Sequence, residues 1–384
     1  MRAVTLVVAV VLAVSAPAGG APSAPAASAS STSAAPERGA AGGIPPGTRV
    51  ETYLGNLSFP VDMAWVPGSS KIFFTEKNTG RVRIVTARGL RAEPCVDLDV
   101  ASDNERGALG IALDPFWGQS KRIYVYYTYD ADPMAAPPPE NRVTRFDVVD
   151  NRCVNPLHVA TIPSPNSRHN GGQIQFVAGK LFVATGDGTA PSRAQTLDSL
   201  LGKVLRYNPD GTIPSDNPFT TSSGAPSPVW SYGHRNPFGL AHKPGAGWLF
   251  ESENGENCDD ELNRIRRGRN YGWGIGYACD DPVGPSPLPP LAEWGDPDTG
   301  DPVIVPTDLW WYEGAMPELS GSLYMGDFTF GQIHRFDLDS TGSSVVSSGV
   351  VHDDPGHVVD VSAGPGGWLY FMTTSAIKRI VPGS

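Results

Sequence analysis

The sequence predicts an all-β fold, a six-bladed β-propeller in which each blade is a four-stranded antiparallel sheet. Three observations carry that expectation. A short run of alternating apolar and aromatic residues recurs six times between Lys71 and Thr373. Each copy is followed by a second strand-like run. Glycine (44 residues), proline (37) and aromatics (9%) stand at levels that suit short strands joined by tight turns.

The first run reads Lys71-Ile72-Phe73-Phe74-Thr75, then Arg122–Thr128, Lys180–Thr185, Trp248–Ser252, Ser322–Met325 and Trp368–Thr373. Branched and aromatic residues at period two fit a pleated surface whose side chains point alternately to its two faces. The partner runs are Arg81–Val85, Arg142–Phe146, Lys203–Tyr207, Leu262–Ile265, Gln332–Phe336 and Ile377–Ile380. In five of the six copies a further alternating run comes first, as in Val61–Pro67 and Val359–Pro365. The fifth copy is preceded by Asp308-Leu309-Trp310-Trp311-Tyr312, a poorer match. Six like units, spaced irregularly by about 45 to 75 residues, argue for radial repetition with uneven loops rather than for a sandwich. No window shows a 3.6-residue period, so little helix is expected.

Residues 1–18 read as a secretory signal peptide: Met1-Arg2, an apolar run from Ala3 to Val14, then Ala16-Pro17-Ala18. Residues 19–46 are an Ala/Ser/Pro linker with too little apolar surface to order itself, and 47–384 form the propeller. No later stretch approaches the length of a membrane span, so an exported protein, secreted or periplasmic, is expected. A net charge of −11 argues against nucleic acid and anionic membranes as partners. Four cysteines in an exported chain predict two disulfides. Their spacing favours Cys95–Cys153 and Cys258–Cys279 without fixing the pairing.

Loops at one end of a propeller's channel converge, so residues distant in sequence can build one site there. The densest candidate is Ser231–Gly274, which packs His234, Arg235, Asn236, Glu253, Asn254, Glu256, Asp259, Asp260, Glu261 and Asn263 into one supersecondary unit. So many oxygen donors on a glycine-containing loop suit a hard cation such as calcium; the alternative is a solvated acidic loop. A second candidate is Arg168-His169-Asn170-Gly171-Gly172-Gln173. A histidine at a loop end, beside backbone that can approach a ligand closely, suits a general base, or else it caps a turn. The third is Asn104–Pro115, with Glu105 and Arg106 before the second unit, where a plain surface ion pair is the alternative.

Glu105–Pro115, His169–Gln173, Gly186–Gly188 with Gln195, Gly202–Gly211, Gly233–Gly239 (GHRNPFG), and Asp259–Asn263 with Asn270–Trp273 together resemble the soluble quinoprotein sugar dehydrogenases, the glucose/sorbosone dehydrogenase family. The resemblance runs from about Glu51 to Pro382. It implies an enzyme that oxidises a sugar hydroxyl of aldose type by hydride transfer to pyrroloquinoline quinone (PQQ), assisted by Ca²⁺, and passes electrons to an external acceptor. Residue by residue it implies His169 as the base and Asp187 as the group that orients it. Gln195 would touch the substrate or cofactor and Arg235-Asn236 would bind the quinone, with Glu105, at a place where relatives often carry Gln, also on the cofactor side. The carbonyls of Gly255 and Glu256 would hold the catalytic calcium, and Glu261 with the carbonyl of Tyr271 a structural one.

The sequence departs from that pattern late in the chain. Glucose-oxidising relatives place a Lys in the fifth unit and Arg residues in the sixth, but Gly326–Gly331 and Gly356–Asp360 contain neither. Arg168, Lys203, Arg206 and Arg235 remain to balance the three carboxylates of the quinone, whose burial without partners costs several kcal/mol per ion. The alternative reading is a non-catalytic, calcium-stabilised propeller that binds carbohydrate or a protein partner. A calcium-dependent hydrolase would instead need a cation at the channel centre, ringed by Asn and Asp side chains.

Overall fold

Residues 43–130, 139–296 and 300–383 are described by the computed structural model. The expected signal peptide, and the linker up to residue 42, lie outside them. The described residues form six antiparallel sheets arranged as blades. Blade 1 holds Pro60–Trp65, Ile72–Glu76 and Arg81–Thr86, with its outer place shared by Gly89–Leu90 and Val96–Asp97. Blade 2 is Ala108–Leu113, Arg122–Tyr129, Glu140–Val149 and Arg152–Pro163; blade 3 is Ile174–Val177, Lys180–Thr185, Lys203–Tyr207 and Val229–Tyr232. Blade 4 is Pro237–Lys243, Trp248–Glu253, Asp260–Ile265 and Ala292–Trp294, and blade 5 is Pro306–Tyr312, Ser322–Asp327, Gln332–Leu338 and Val345–Asp353. Blade 6 supplies Val358–Ala363, Leu369–Thr373 and Ala376–Pro382. Its fourth strand is Thr48–Leu54, which pairs antiparallel with Ala376–Pro382 and so closes the ring with the two ends of the chain. Helix is limited to the single turn Trp117–Ser120 and two 3₁₀ segments among the described residues.

The six recurring runs are the second strands of their blades, and the weak match at Asp308–Tyr312 is the first strand of blade 5. The second strands are buried on both faces, because each blade is sandwiched between two others. Along Arg122–Tyr129, Ile123, Val125 and Tyr127 pack against Phe73, Val82 and Ile84 of blade 1, while Tyr124 and Tyr126 face Leu181, Val183 and Leu205 of blade 3. In Leu369–Thr373, Leu369 and Phe371 face blade 5, whereas Tyr370 and Met372 face blade 1. One apolar cluster fills each of the six seams. Each fully buried Leu, Phe or Met in them contributes about 1.5–3 kcal/mol.

Both disulfides form as the spacing favours, Cys95–Cys153 and Cys258–Cys279. The first joins the outer edges of blades 1 and 2, where Cys153 N–H also donates to Cys95 O at 2.8 Å. The second brackets the acidic loop of blade 4.

Candidate functional site

First strands begin, and second strands end, at one face of the ring, so the loops carrying Glu105, His169, Asp187, Arg235, Asn236 and Gly255 open on that face. His169 is held in the left-handed region (φ 57°), a conformation costly for a side chain. Glu105 Oε2 accepts from His169 N–H (2.7 Å) and from Asn236 Nδ2 (3.0 Å), so one carboxylate ties blade 2 to blades 3 and 4. Gly188 N–H donates to His169 O at 3.1 Å. The turn must be glycine at 186 because a Cβ there would stand 2.2 Å from that same carbonyl. This close approach explains Gly186-Asp187-Gly188 better than a plain turn does.

The imidazole of His169 faces Asp187, with Nδ1 2.7 Å from Oδ1. Asp187 is fully buried and accepts two further bonds, from Thr189 N–H (2.7 Å) and from Trp273 Nε1–H (2.8 Å). A carboxylate on Nδ1 fixes the tautomer in which Nε2 is the basic nitrogen. The guanidinium of Arg235 lies 5.3 Å from the Trp273 ring centroid. Arg235 donates from its backbone to Glu253 and from its side chain to Asn254 O at 2.9 Å, while its Nε is buried without a partner. Gln195 lies half-buried behind Trp273. Its Nε2 donates to Asn270 Oδ1 (2.8 Å) and Trp273 O (2.7 Å), so it positions the segment that carries Trp273.

Beside Arg235, Asn254, Gly255, Asp259, Glu261, Tyr271 and Tyr277 line a small cavity. Glu256 is exposed at the tip of the same turn. Asp260 is occupied otherwise: its carboxylate accepts from Gly255 N–H (2.9 Å), Ile304 N–H (2.7 Å) and Val305 N–H (2.8 Å), pinning the loop to the approach to blade 5. Below lie Glu251, Glu253, Glu261 and Asn263, with the buried His234, whose Nδ1 is 3.0 Å from Glu253 Oε2 and whose ring stacks on Tyr271 at 4.6 Å. Burial and the carboxylate of Glu253 push Glu251 and Glu261 well above the usual carboxylate range.

Whether the residues present fit a cation is decided by their unsatisfied atoms. Both oxygens of Glu251, and Oδ1 of Asn254, Asp259 and Asn263, are buried without a hydrogen-bond partner. Such orphaned oxygens in carboxylate company fit a hard cation. The orphaned Nε of Arg235 beside them fits an anionic group reaching the same place.

Of the other candidate cations, Lys203 is buried with its ammonium 2.7–2.8 Å from the carbonyls of Arg193, Ala194 and Leu201, and Arg206 is bound to Asp216. Neither is free for a ligand. Arg168 is exposed, and Arg106 does not pair with Glu105 but donates to Ser164. The loops of blades 5 and 6 bear a stack of Phe328 on His357 (4.4 Å, 8°) in the stretches where glucose-oxidising relatives are expected to carry cations. Sequence reasoning missed two groups. Lys77, at the end of the second strand of blade 1, is lowered to about 8 by burial, against the pull of Asp103 and Glu105. Glu251 holds a strand position that is apolar in the other five copies, and that lone charge was the available signal.

Loops of blades 2, 3 and 4 thus bring an imidazole–carboxylate pair, a guanidinium and an oxygen-lined pocket to one mouth of the propeller. The chain belongs to the glucose/sorbosone dehydrogenase family: the profile described as Glucose / Sorbosone dehydrogenase matches residues 57–381. It is similar to aldose sugar dehydrogenase YliI of Escherichia coli, 29% identical over 88% of this chain and 93% of the relative. It is also similar to quinoprotein glucose dehydrogenase B of Acinetobacter calcoaceticus, 26% identical over 85% of each. Among solved structures, the PQQ-bound form of aldose sugar dehydrogenase from Streptomyces coelicolor superposes with a TM-score of 0.71 at 27% identity, covering 88% of this chain and 99% of its own.

Proposed function

We propose that this protein is an exported sugar dehydrogenase that oxidises an aldose-type hydroxyl with PQQ and Ca²⁺ and passes the electrons to an external acceptor. The observation that carries the reading is the 2.7 Å contact between His169 Nδ1 and the buried Asp187, whose other oxygen is bonded to the tryptophan under Arg235. His169 Nε2 is the base that takes the hydroxyl proton of the sugar, and Asp187 stabilises the imidazolium formed. Glu105 fixes the His169 backbone and Asn236 relative to each other. Arg235 and Asn236 bind the anionic side of the quinone, and Gln195 holds the Trp273 segment against it. The carbonyls of Gly255 and Glu256 hold the catalytic cation; Glu261 and the carbonyl of Tyr271 hold a second, structural one. When bound, quinone and calcium supply the hydride acceptor and the Lewis acid that polarises it. Two disulfides and the apolar N-terminal run support export.

The test is dye reduction by purified protein preloaded with PQQ and calcium, across a panel of aldoses. Sugar-dependent turnover that needs both additions is expected. The alternative, a non-catalytic propeller, is favoured by the Phe328–His357 stack in place of cations. Calcium binding without turnover on any aldose would establish that alternative.

A further inference from the structure

A second cluster stands on the propeller axis, away from the acidic loop of blade 4. Met63, Ile111, Ile174, Leu240, Leu309 and Val361 hold equivalent ladder positions in the six innermost strands, opposite Phe74, Val125, Val183, Glu251, Met325 and Phe371. The residues just before them therefore form one ring: Asp62, Gly110, Gln173, Gly239, Asp308 and Asp360.

The three carboxylates of that ring are 5%, 7% and 1% exposed for Asp62, Asp308 and Asp360. One oxygen of each is clipped to the backbone of a neighbouring blade. Ile111 N–H donates to Asp62 Oδ2 (2.6 Å), Leu240 N–H to Asp308 Oδ1 (3.3 Å) and Met63 N–H to Asp360 Oδ2 (3.0 Å). Asp360 Oδ1 is buried with no hydrogen-bond partner. All three side chains line an axial cavity of about 520 Å³, and no Lys or Arg is among its lining residues. One oxygen from each aspartate lies within 4.8 Å of the other two. The centre of a triangle with that edge is at most about 2.8 Å from each corner, close to the roughly 2.3–2.6 Å of calcium–oxygen bonds. Kept ionised without a counter-charge, three buried carboxylates would cost several kcal/mol each.

We infer that Asp62, Asp308 and Asp360 form a metal site on the axis for a hard divalent cation of calcium's size, distinct from the cluster at the mouth. Its remaining coordination positions face the cavity and are filled by water. Three carboxylates outweigh the double charge of such an ion by one and weaken its Lewis acidity. The imidazole lining the cavity, His242, has its Nδ1 3.2 Å from Gln175 Nε2. The ion is therefore a clamp rather than a hydrolytic centre. It joins blades 5, 6 and 1, with the blade in which the chain closes on itself in the middle.

The experiment is a thermal-denaturation pair, with calcium and with chelator, on the full chain and on Asp360→Asn, together with metal analysis of each. With calcium the wild type should melt higher than Asp360→Asn and carry one ion more per chain. With chelator the order should reverse, because the variant relieves repulsion among unpaired carboxylates. If Asp360→Asn melts lower by the same amount in both conditions, with unchanged metal content, Asp360 is a backbone clip only and the inference fails. Should the variant not fold, crystals of wild type soaked in a lanthanide decide it: an anomalous peak between the three aspartates is expected, and its absence at an occupied mouth site refutes the proposal.

Discussion

Substituting Asp187 by Asn tests the role assigned to the buried carboxylate with the least change of shape. Asp187 accepts three bonds, from His169 Nδ1 and Thr189 N at 2.7 Å and from Trp273 Nε1 at 2.8 Å. An amide has one acceptor oxygen, so one of its two ends must set an NH₂ against a donor. Facing His169, the NH₂ reverses the tautomer and puts the proton on Nε2, leaving no base at the mouth. Facing Trp273, it leaves two buried donors in contact. Losing one charge-assisted bond costs about 1.5–3 kcal/mol, and the buried donor left unsatisfied adds about 1–3. Those costs fall on the stability of the fold; losing the basic tautomer lowers kcat on the order of 10²–10⁴, the range that a general base supplies. Since Asp187 is fully buried, KM and the affinity for PQQ should change by no more than about threefold. Steady-state dye reduction, with PQQ binding followed by titration, measures both quantities. A variant with kcat within about threefold of wild type would refute the assignment.

Four further outcomes follow. Glu261→Gln should show a smaller calcium-dependent gain in melting temperature than wild type, for which calcium at a hundredfold excess over Kd adds about 2.7 kcal/mol. Burial lowers Lys203 to about 7 from an ordinary 10.5. Between those values the unfolded chain binds the proton and the folded one does not, so stability rises with pH by at most about 1.4 kcal/mol per unit; urea midpoints should show this slope in wild type and lose it in Lys203→Met. Removing Cys95–Cys153 or Cys258–Cys279, with sequence separations of 58 and 21, should cost about 4 and about 3 kcal/mol by loop entropy, and only the second should also weaken calcium binding. Deleting residues up to 55 removes the strand Thr48–Leu54 that closes blade 6, and hydrogen exchange should then lose protection first in Ala376–Pro382.

Most of the propeller frame is legible because the second and third strands repeat a pattern that physics enforces, apolar residues between turn formers. The closing strand Thr48–Leu54 is not, since TRVETYL has no repeat partner beside it and its register depends on the far end of the chain. Full burial of the second strands is likewise hidden, because alternation marks which face a residue takes and not whether that face meets water. At the mouth, motif density points to His169, Arg235 and the acidic loop. Charges carried inside strand runs escape notice: Glu251, Asp62, Asp308 and Asp360 read as parts of apolar strands until the blades assemble around them. Lys203 and Arg206 mislead in the opposite way, as cations whose partners lie within their own blade.

The central claim is that His169 takes a proton from a sugar while PQQ beside it is reduced, and a single-turnover measurement tests it most directly. Protein with one PQQ and calcium bound is mixed with an aldose, without any external acceptor, and the quinone absorbance is followed. The account predicts reduction of the bound quinone in wild type and, in His169→Ala, a rate lower by about 10²–10⁴-fold at unchanged occupancy. Quinone that binds fully yet stays oxidised with every aldose tried, or is reduced equally fast without His169, would contradict it.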